Sequence, residues 1–500
     1  MPLTRIDDFL ETYRGYLETP LSQLLKQDQT EALHQKLIHF FHATAKNVPA
    51  YRRFLAERGV DPLSVRKIED FFNLPEITKQ NYLLQHPLPD LCRDGRIELC
   101  DIAAASSGST GKPCFWPRFV TDELEVAVRF EQIFYDSFDA DKKRTLAVIC
   151  FALGTWVGGM YTAACCRHLA AKGYPILLVT PGANREEIYR VVQELGPYFD
   201  QTILLGYPPF LKDIVDEGLL RGVDWARYGM RWVAAGEVFS EEFRSLMAER
   251  MGIEDAERSS ASLYGTADAG VLGCETPLSI LIRRWLATHP DAAHELFGES
   301  RLPTLVQYNP GSRFFETVGG GLLFTGNGGI PLVRYNILDH GGILGFEEMR
   351  KFLIRYGFDP LLNFQNGVRG ARPLPFVYVF GRSDFTVSYF GANIYPENIT
   401  VGLEQKPISE WVTGKFVLET KEDAERNRHL TVTIELAHGV EGGDDKAEIV
   451  ASSLREHLLR LNSEFAAYVP PAYQIPRTVF RTLGDPEYFP AGVKHRYSRK

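Results

Sequence analysis

The stretch SSGSTGKP places Ser106, Ser107, Gly108, Ser109, Thr110, Gly111 and Lys112 side by side, with Pro113 behind them. Glycines let a backbone approach an anion closely, and successive amides form an anion-binding concavity. The hydroxyls add donors and Lys112 adds charge, so the segment suits holding phosphate oxygens. A P-loop, however, requires Gly, four residues, then Gly-Lys-Ser/Thr. Here Ser106 stands where the first glycine belongs, and Pro113 follows Lys112. The hydroxyl that would meet magnesium is missing, and proline disturbs the helix that a P-loop opens. A phosphate-gripping loop of another kind and a plain polar loop both remain open on these residues alone.

The elements that must position this loop follow from the hydrophobic pattern. Residues 1–85 carry apolar side chains at three- and four-residue steps, as helices do, with a break at Pro49. Beyond residue 140, strand-like and helix-like runs alternate. RTLAVICF, YPILLVTP, QTILLGYP and MRWVAAGE read as buried strands, and MYTAACCRHLAAKG, NREEIYRVVQELG and PFLKDIVDEGLL read as helices. That rhythm predicts an α/β fold with a largely parallel, βαβ-type sheet packed by helices. Residues 320–345 have strand-like runs among many turn glycines and predict an antiparallel region. A last unit begins near residue 380, with strands near 415–419, 430–436 and 475–483 and a helix near 445–463. The expected division is a large N-terminal domain, 1–380, and a small, mobile α+β C-terminal domain, 381–500.

Composition narrows the function classes. The chain has 500 residues, 24% of them charged and 45% hydrophobic, ordinary values for a globular protein. A formal net charge of -9 disfavours bulk binding to nucleic acid or to an anionic membrane. Seven scattered cysteines without a CxxC pair argue against a zinc cluster or a disulfide framework and fit a reducing cytoplasm. The polar N-terminus lacks the apolar core of a signal peptide, and no run of 18 apolar residues predicts a membrane span.

Five further segments decide between the two readings of the loop. AAGE (234–237), YGTADAG (264–270), PLVRYNILDHGG (331–342) and GRSDFTVSYFGANIYPENI (381–399) follow SSGSTGKP in order, and NVPAYRRFLAERGVDPLSVRKIEDFFNLPEITKQNY (47–82) precedes it. Together they resemble the adenylate-forming enzymes of the acyl-CoA synthetase superfamily, and most closely the phenylacetate-CoA ligase branch. The resemblance spans roughly residues 35–400.

The resemblance implies roles residue by residue. Ser106 to Lys112 would hold departing pyrophosphate. Ala235, Gly236 and Glu237 match the turn beneath adenine, Tyr264 would pack on the purine beside Gly265 and Thr266, and Asp339 matches the ribose-binding acid. Asp268 stands where the family usually has a glutamate for magnesium, and Ala267 where it has Thr or Ser. Asp384 matches the hinge, Arg382 would tie the hinge to the nucleotide, and Gly391 would line a CoA tunnel. Lys494 is the candidate adenylation lysine, one residue later than expected after Gly492, and with Lys112 and Asp268 it completes the expected catalytic set. FALGTWVGGMY (151–161) resembles the acid-pocket segment, so Phe151, Trp156, Gly158, Gly159 and Tyr161 would shape a compact, rather apolar slot walled also by Tyr207.

The expected function is an ATP-dependent, AMP-forming acid–thiol ligase using Mg2+ and CoA on an aryl or other compact apolar acid. Two readings stand beside it. One passes the acyl group to a carrier-protein phosphopantetheine or to an amine. The other is a non-catalytic, degenerate binding protein, motivated by TADAG. A homodimer is a further expectation.

Overall fold

The computed structural model describes residues 2–27, 29–105, 114–155, 157–299, 301–364, 369–382, 387–390, 392–422, 428–462, 465–466, 469–490, 495 and 497–498. The helical lead-in is as the periodicity predicts. Helix Thr30–Asn47 stops before Pro49, which opens the next helix, Pro49–Glu57, at its first position. Two short strands follow, β1 (Ile102–Ala105) and β2 (Phe115–Arg118), paired antiparallel with Ala105 opposite Phe115. They are the two ends from which segment 106–113 springs, a strand and its return.

The main sheet has eleven strands. Its parallel half contains β3 (Thr145–Ile149), β4 (Ile176–Val179), β5 (Gln201–Gly206), β6 (Arg231–Ala235) and β7 (Ser260–Thr266), ordered β4-β3-β5-β6-β7. Helices Val157–Ala171, Arg185–Leu195, Pro208–Leu220 and Glu241–Met251 connect them. Burial on both faces follows the period of two. In β3 and just beyond it, Leu146, Val148 and Cys150 pack on one side, and Ala147, Ile149 and Phe151 on the other.

Strand direction reverses at β7. From there β8 (Gly270–Cys274), β9 (Thr304–Gln307), β10 (Phe314–Val318), β11 (Gly321–Gly326), β12 (Leu332–Leu344) and β13 (Phe376–Arg382) pair antiparallel, in the order β7-β8-β9-β13-β12-β11-β10. The antiparallel region read at 320–345 is therefore an extension of the parallel sheet, joined through β8 and β9. The hairpin β7–β8 and the short strands β9 and β10 were not legible in the sequence.

The C-terminal part has its own sheets. β14 (Val387–Tyr389) pairs with β15 (Ala392–Ile394), and β16 (Val412–Glu422), β17 (Arg428–Leu436) and β18 (Arg477–Arg481) form a three-stranded sheet. Helices Pro396–Leu403 and Asp444–Leu461 close a separate core around Phe416, Val432, Leu454 and Leu458. This part meets the main sheet through polar contacts. Lys415 reaches Asp213 at 3.1 Å, Lys212 donates to the Val412 carbonyl at 2.8 Å, and Arg250 donates to the Ser409 carbonyl at 3.1 Å. Ser240 donates to Glu404, and Tyr497 donates to Glu237.

A charged knot fixes the edge of this interface. Arg244 is fully buried and bonds Glu241 Oε2 at 2.8 Å, Glu275 Oε1 at 2.8 Å and Ser260 Oγ at 2.7 Å. Glu275 Oε2 in turn accepts from the Ser262 amide at 2.8 Å, which ties helix Glu241–Met251 to β7. Arg244→Ala leaves the buried Glu275 without its guanidinium and Glu241 with Arg283 and Arg284 alone, and urea unfolding should record a loss of roughly 3–5 kcal/mol. A loss below about 1 kcal/mol, the size of an exposed pair, would show that the knot does not carry β7.

Burial pushes the Glu404 carboxyl up to about 8. A raised carboxyl favours the docked arrangement while it is neutral, so the contribution is complete below 4.5, its ordinary value, and disappears as pH climbs through about 8. Proteolysis between the main sheet and the C-terminal part should therefore accelerate between pH 6 and pH 9, and Glu404→Gln should abolish that step. An identical step in the glutamine variant would assign it to another group.

Candidate active site

Three parallel strands, β3, β5 and β6, end flush at one edge, and the fourth, β7, runs three residues past them. Ile149 pairs with Leu205, Gly206 with Ala234, and Ala235 with Leu263. Parallel neighbours lie about 4.8 Å apart, so the carboxyl ends of β3, β5, β6 and β7 share a rim roughly 15 Å wide. In open α/β sheets, ligands bind outside these ends. The residues that follow the strands are those singled out in the sequence: Phe151 after β3, Tyr207 after β5, Gly236 and Glu237 after β6, and the TADAG turn after β7. Ala235, Tyr264, Gly265 and Thr266 are the closing residues of β6 and β7.

Side-chain packing explains several of the glycines. Gly236 adopts φ +89°, and a Cβ there would sit 2.8 Å from the Tyr207 ring. Gly159 starts its helix so close to the preceding turn that a Cβ would meet the Ala152 carbonyl oxygen at 2.3 Å. Phe151 and Tyr207 meet edge to face at 5.0 Å, and Gly158 faces both rings. Tyr161 is buried one helical turn further on, with the Arg118 guanidinium 4.7 Å above its ring. These residues give the rim an apolar, aromatic wall. The Ala105 amide donates to the Thr155 carbonyl at 2.8 Å, which ties the base of segment 106–113 to this wall.

The opposite wall comes from β12. Its Asp339 is 6% exposed, accepts a hydrogen bond from Tyr264 Oη at 2.7 Å, and pairs in register with Arg382 on β13. Tyr264 stacks on Phe315 at 6.4 Å. Tyr335, also on β12, donates to Asp268 Oδ2 at 2.5 Å. Two hydroxyl-to-carboxylate bonds thus bridge the β7–β8 hairpin to β12 and bring Asp268 and Asp339 to the same rim. Within the turn, Thr266 Oγ1 accepts from the Ala269 amide at 3.1 Å, so its hydroxyl closes the turn. Arg118 donates to the Ala267 carbonyl, and Arg313 to the Ala269 carbonyl at 3.3 Å.

The donor set fits magnesium in the way nucleotide enzymes use it. That ion keeps several waters and takes one or two carboxylates plus substrate phosphates. Asp268, held by Tyr335 on a turn at the strand ends, is such a carboxylate. Among the described residues no group of three or more His, Cys, Asp or Glu forms an all-protein metal cage.

Glu237 accepts from Tyr497 Oη, and burial beside that carboxylate pushes the phenol well up. The C-terminal tail reaches this point by pairing alongside β16. Leu418 N donates to the Tyr497 carbonyl at 2.7 Å, and His495 bonds the Phe416 carbonyl at 2.6 Å. Segment 106–113, Trp156, Asp384, Gly391 and Lys494 lie outside the described residues, as does the side chain of Arg382. Of the described tail residues, His495 follows directly on Lys494, and Tyr497 reaches Glu237.

Arg118, Arg313, Tyr335 and Tyr497 were missed in the sequence. Tyr335 lies inside the RYNILD segment and could have been found there. Arg118 and Arg313 are lone arginines in WPRF and GSRFF and read as ordinary surface residues, although each is 6% exposed.

No family model matches the chain. It is 25% identical over 455 residues, 90% of each chain, to phenylacetate-coenzyme A ligase of Thermus thermophilus. Among solved structures, 2-hydroxyisobutyryl-CoA ligase in the postadenylation state in complex with R3-HIB-AMP has a TM-score of 0.66 at 13% identity, over 94% of this chain and 89% of that one. An acyl acid amido synthetase in complex with 2,4-DB has a TM-score of 0.59 at 13% identity, over 96% of this chain and 93% of that one. At such identities the structures share the fold. The match to the ligase along nine-tenths of both chains agrees with the ordered motifs, so the chain is similar in sequence to phenylacetate-CoA ligases and shares the fold of the adenylate-forming structures.

Proposed function

We propose that the protein is an AMP-forming acid–CoA ligase. It activates a carboxylic acid with ATP and passes the acyl group to the thiol of CoA. The observation that supports this most is the convergence of segments 151–161, 207, 235–237, 264–268 and 339 on one rim of the sheet. All of these except Tyr207 lie in segments that resemble the family in sequence, and the fold joins them.

In the first step a carboxylate oxygen attacks the α-phosphorus of ATP. The bond to the bridging oxygen breaks, and pyrophosphate leaves with its electron pair. Tyr264 would cover the purine, while Asp339, oriented by the Tyr264 hydroxyl, would accept from the ribose hydroxyls. Ser106 to Lys112 would donate to the phosphates as charge builds up on them. Magnesium, when bound, neutralises phosphate charge, and Asp268 would hold it. Lys494 would meet the α-phosphate from the tail that docks beside Glu237. In the second step the CoA thiolate attacks the acyl carbon and AMP departs. A rotation of the 381–500 domain about Asp384 would bring Gly391 to the site. The aromatic wall of Phe151, Tyr161 and Tyr207 favours a compact aryl or apolar acid.

A second reading differs only in the acceptor. The amido synthetase fold likeness favours an amine there, in which case the same adenylate ends as an amide. A carrier-protein thiol, a homodimer and a cytoplasmic location remain part of the proposal. Among the described residues, no helix is long and apolar enough to cross a membrane.

ATP–pyrophosphate exchange across aryl, amino and short aliphatic acids tests the first step, and acyl-CoA formation tests the second. Exchange without acyl-CoA, but with an amide in the presence of amines, selects the second reading. No exchange with any acid rejects both. Lys112→Ala should lower exchange about 10²–10³-fold, the usual loss of a donor to developing charge. Asp339→Ala should weaken ATP use about 10–100-fold, and Tyr264→Phe, which keeps the ring and removes one neutral donor, about 5-fold. Equal losses in the last two variants would mean that the hydroxyl, and not the acid, contacts the nucleotide.

A further inference from the structure

Asp268 sits in the middle of a turn whose neighbouring carbonyls are both taken by arginine. Arg118, the last residue of β2, donates through Nη2 to the Ala267 oxygen. Arg313, immediately before β10, donates through Nη2 to the Ala269 oxygen at 3.3 Å. The two guanidiniums come from different elements, one at the end of β2 and one just before β10. Each is anchored behind. Arg118 lies over the Tyr161 ring at 4.7 Å, and Arg313 Nη1 bonds Glu125 Oε2 at 2.7 Å and the Ser312 carbonyl at 2.8 Å.

This is a costly way to hold a turn. A buried guanidinium is offset best by a carboxylate that meets its fork. Here both are 6% exposed and each gives a donor to a neutral carbonyl; Arg313 meets the half-exposed Glu125 with one donor only, and Arg118 Nη1 and Arg313 Nε have no hydrogen-bond partner among the described residues. Stability alone would be better served by pairing those donors or by apolar side chains. What the arrangement does supply is a fixed height and direction for the residue between the two gripped carbonyls. The Tyr335 hydroxyl, 2.5 Å from Asp268 Oδ2, fixes the carboxylate itself.

We propose that Arg118 and Arg313 are positioning residues that clamp the Ala267–Ala269 turn and so set the Asp268 carboxylate for the metal–nucleotide complex. The inference rests on the adenylation reading, in which Asp268 serves that complex. Its partners in the reaction need not touch either arginine. A clamp acts through Asp268, so its effect disappears when Asp268 can no longer ligate.

A double-mutant cycle on the full-length protein tests this. Mn2+ affinity is read by electron paramagnetic resonance in the presence of α,β-methylene-ATP, alongside exchange kinetics and thermal unfolding. Arg118→Gln should weaken Mn2+ binding about 10-fold, in the range typical for residues that orient a ligand, and should lower exchange kcat by a similar factor, with the KM for the acid little changed. In an Asp268→Asn background the same substitution should have no further effect on Mn2+ affinity. Should Arg118→Gln not fold, Arg313→Lys, which keeps the charge near Glu125 but loses the fork, carries the same expectation. Equal fold-losses in both backgrounds, or an unchanged Mn2+ affinity, would overturn the clamp. Wild-type protein that binds the Mn2+–nucleotide complex but exchanges pyrophosphate with no acid overturns the proposed reaction instead, and the binding cycle still reads the clamp.

Discussion

Strand β7 runs parallel to β6, and its antiparallel return, β8, begins after only the three residues Ala267, Asp268 and Ala269. That reversal is the constraint on which the site depends. A parallel strand ordinarily leaves the sheet through a long crossover. Here the chain turns back at the rim, so a carboxylate is held on backbone that pairs on both sides. The sheet beyond β8 also brings β12 within reach of this turn. Tyr264 can then reach Asp339, and Tyr335 can reach Asp268.

The scaffold behind the rim is built to keep this turn still. Glu275 on the far end of the hairpin bonds the Ser262 amide and the buried Arg244, and Arg118 and Arg313 hold the near end. The parallel half supplies the aromatic wall of the rim, with Gly236 packed on Tyr207 and Phe151 and Tyr161 beside them. The C-terminal part adds contacts of another kind. Its links to the main sheet include the polar, titratable pairs Lys415 with Asp213 and Ser240 with Glu404.

Much of this was legible in the sequence, for physical reasons that differ by region. The parallel strands are apolar on both faces and stand out as short continuous runs, and glycine or proline marks their ends. The motif segments were readable because close backbone approach and phosphate contact restrict residue types. The hairpin β7–β8 was not legible, since YGTADAGVLGC has neither the alternation nor the turn dipeptide of a simple hairpin. Its turn is held by side chains remote in the sequence, Arg118 above all. The buried arginines were invisible for the same reason: nothing local distinguishes Arg118 or Arg313 from a solvated residue, and only tertiary packing assigns them a carbonyl.

The central claim is that a carboxylate oxygen becomes bonded to the α-phosphorus of ATP. Turnover of an accepted acid labelled with 18O in its carboxyl group tests it most directly. Attack at the α-phosphorus places one 18O atom in the AMP released and none in pyrophosphate. Label in inorganic phosphate accompanied by ADP, or AMP without label, would contradict it.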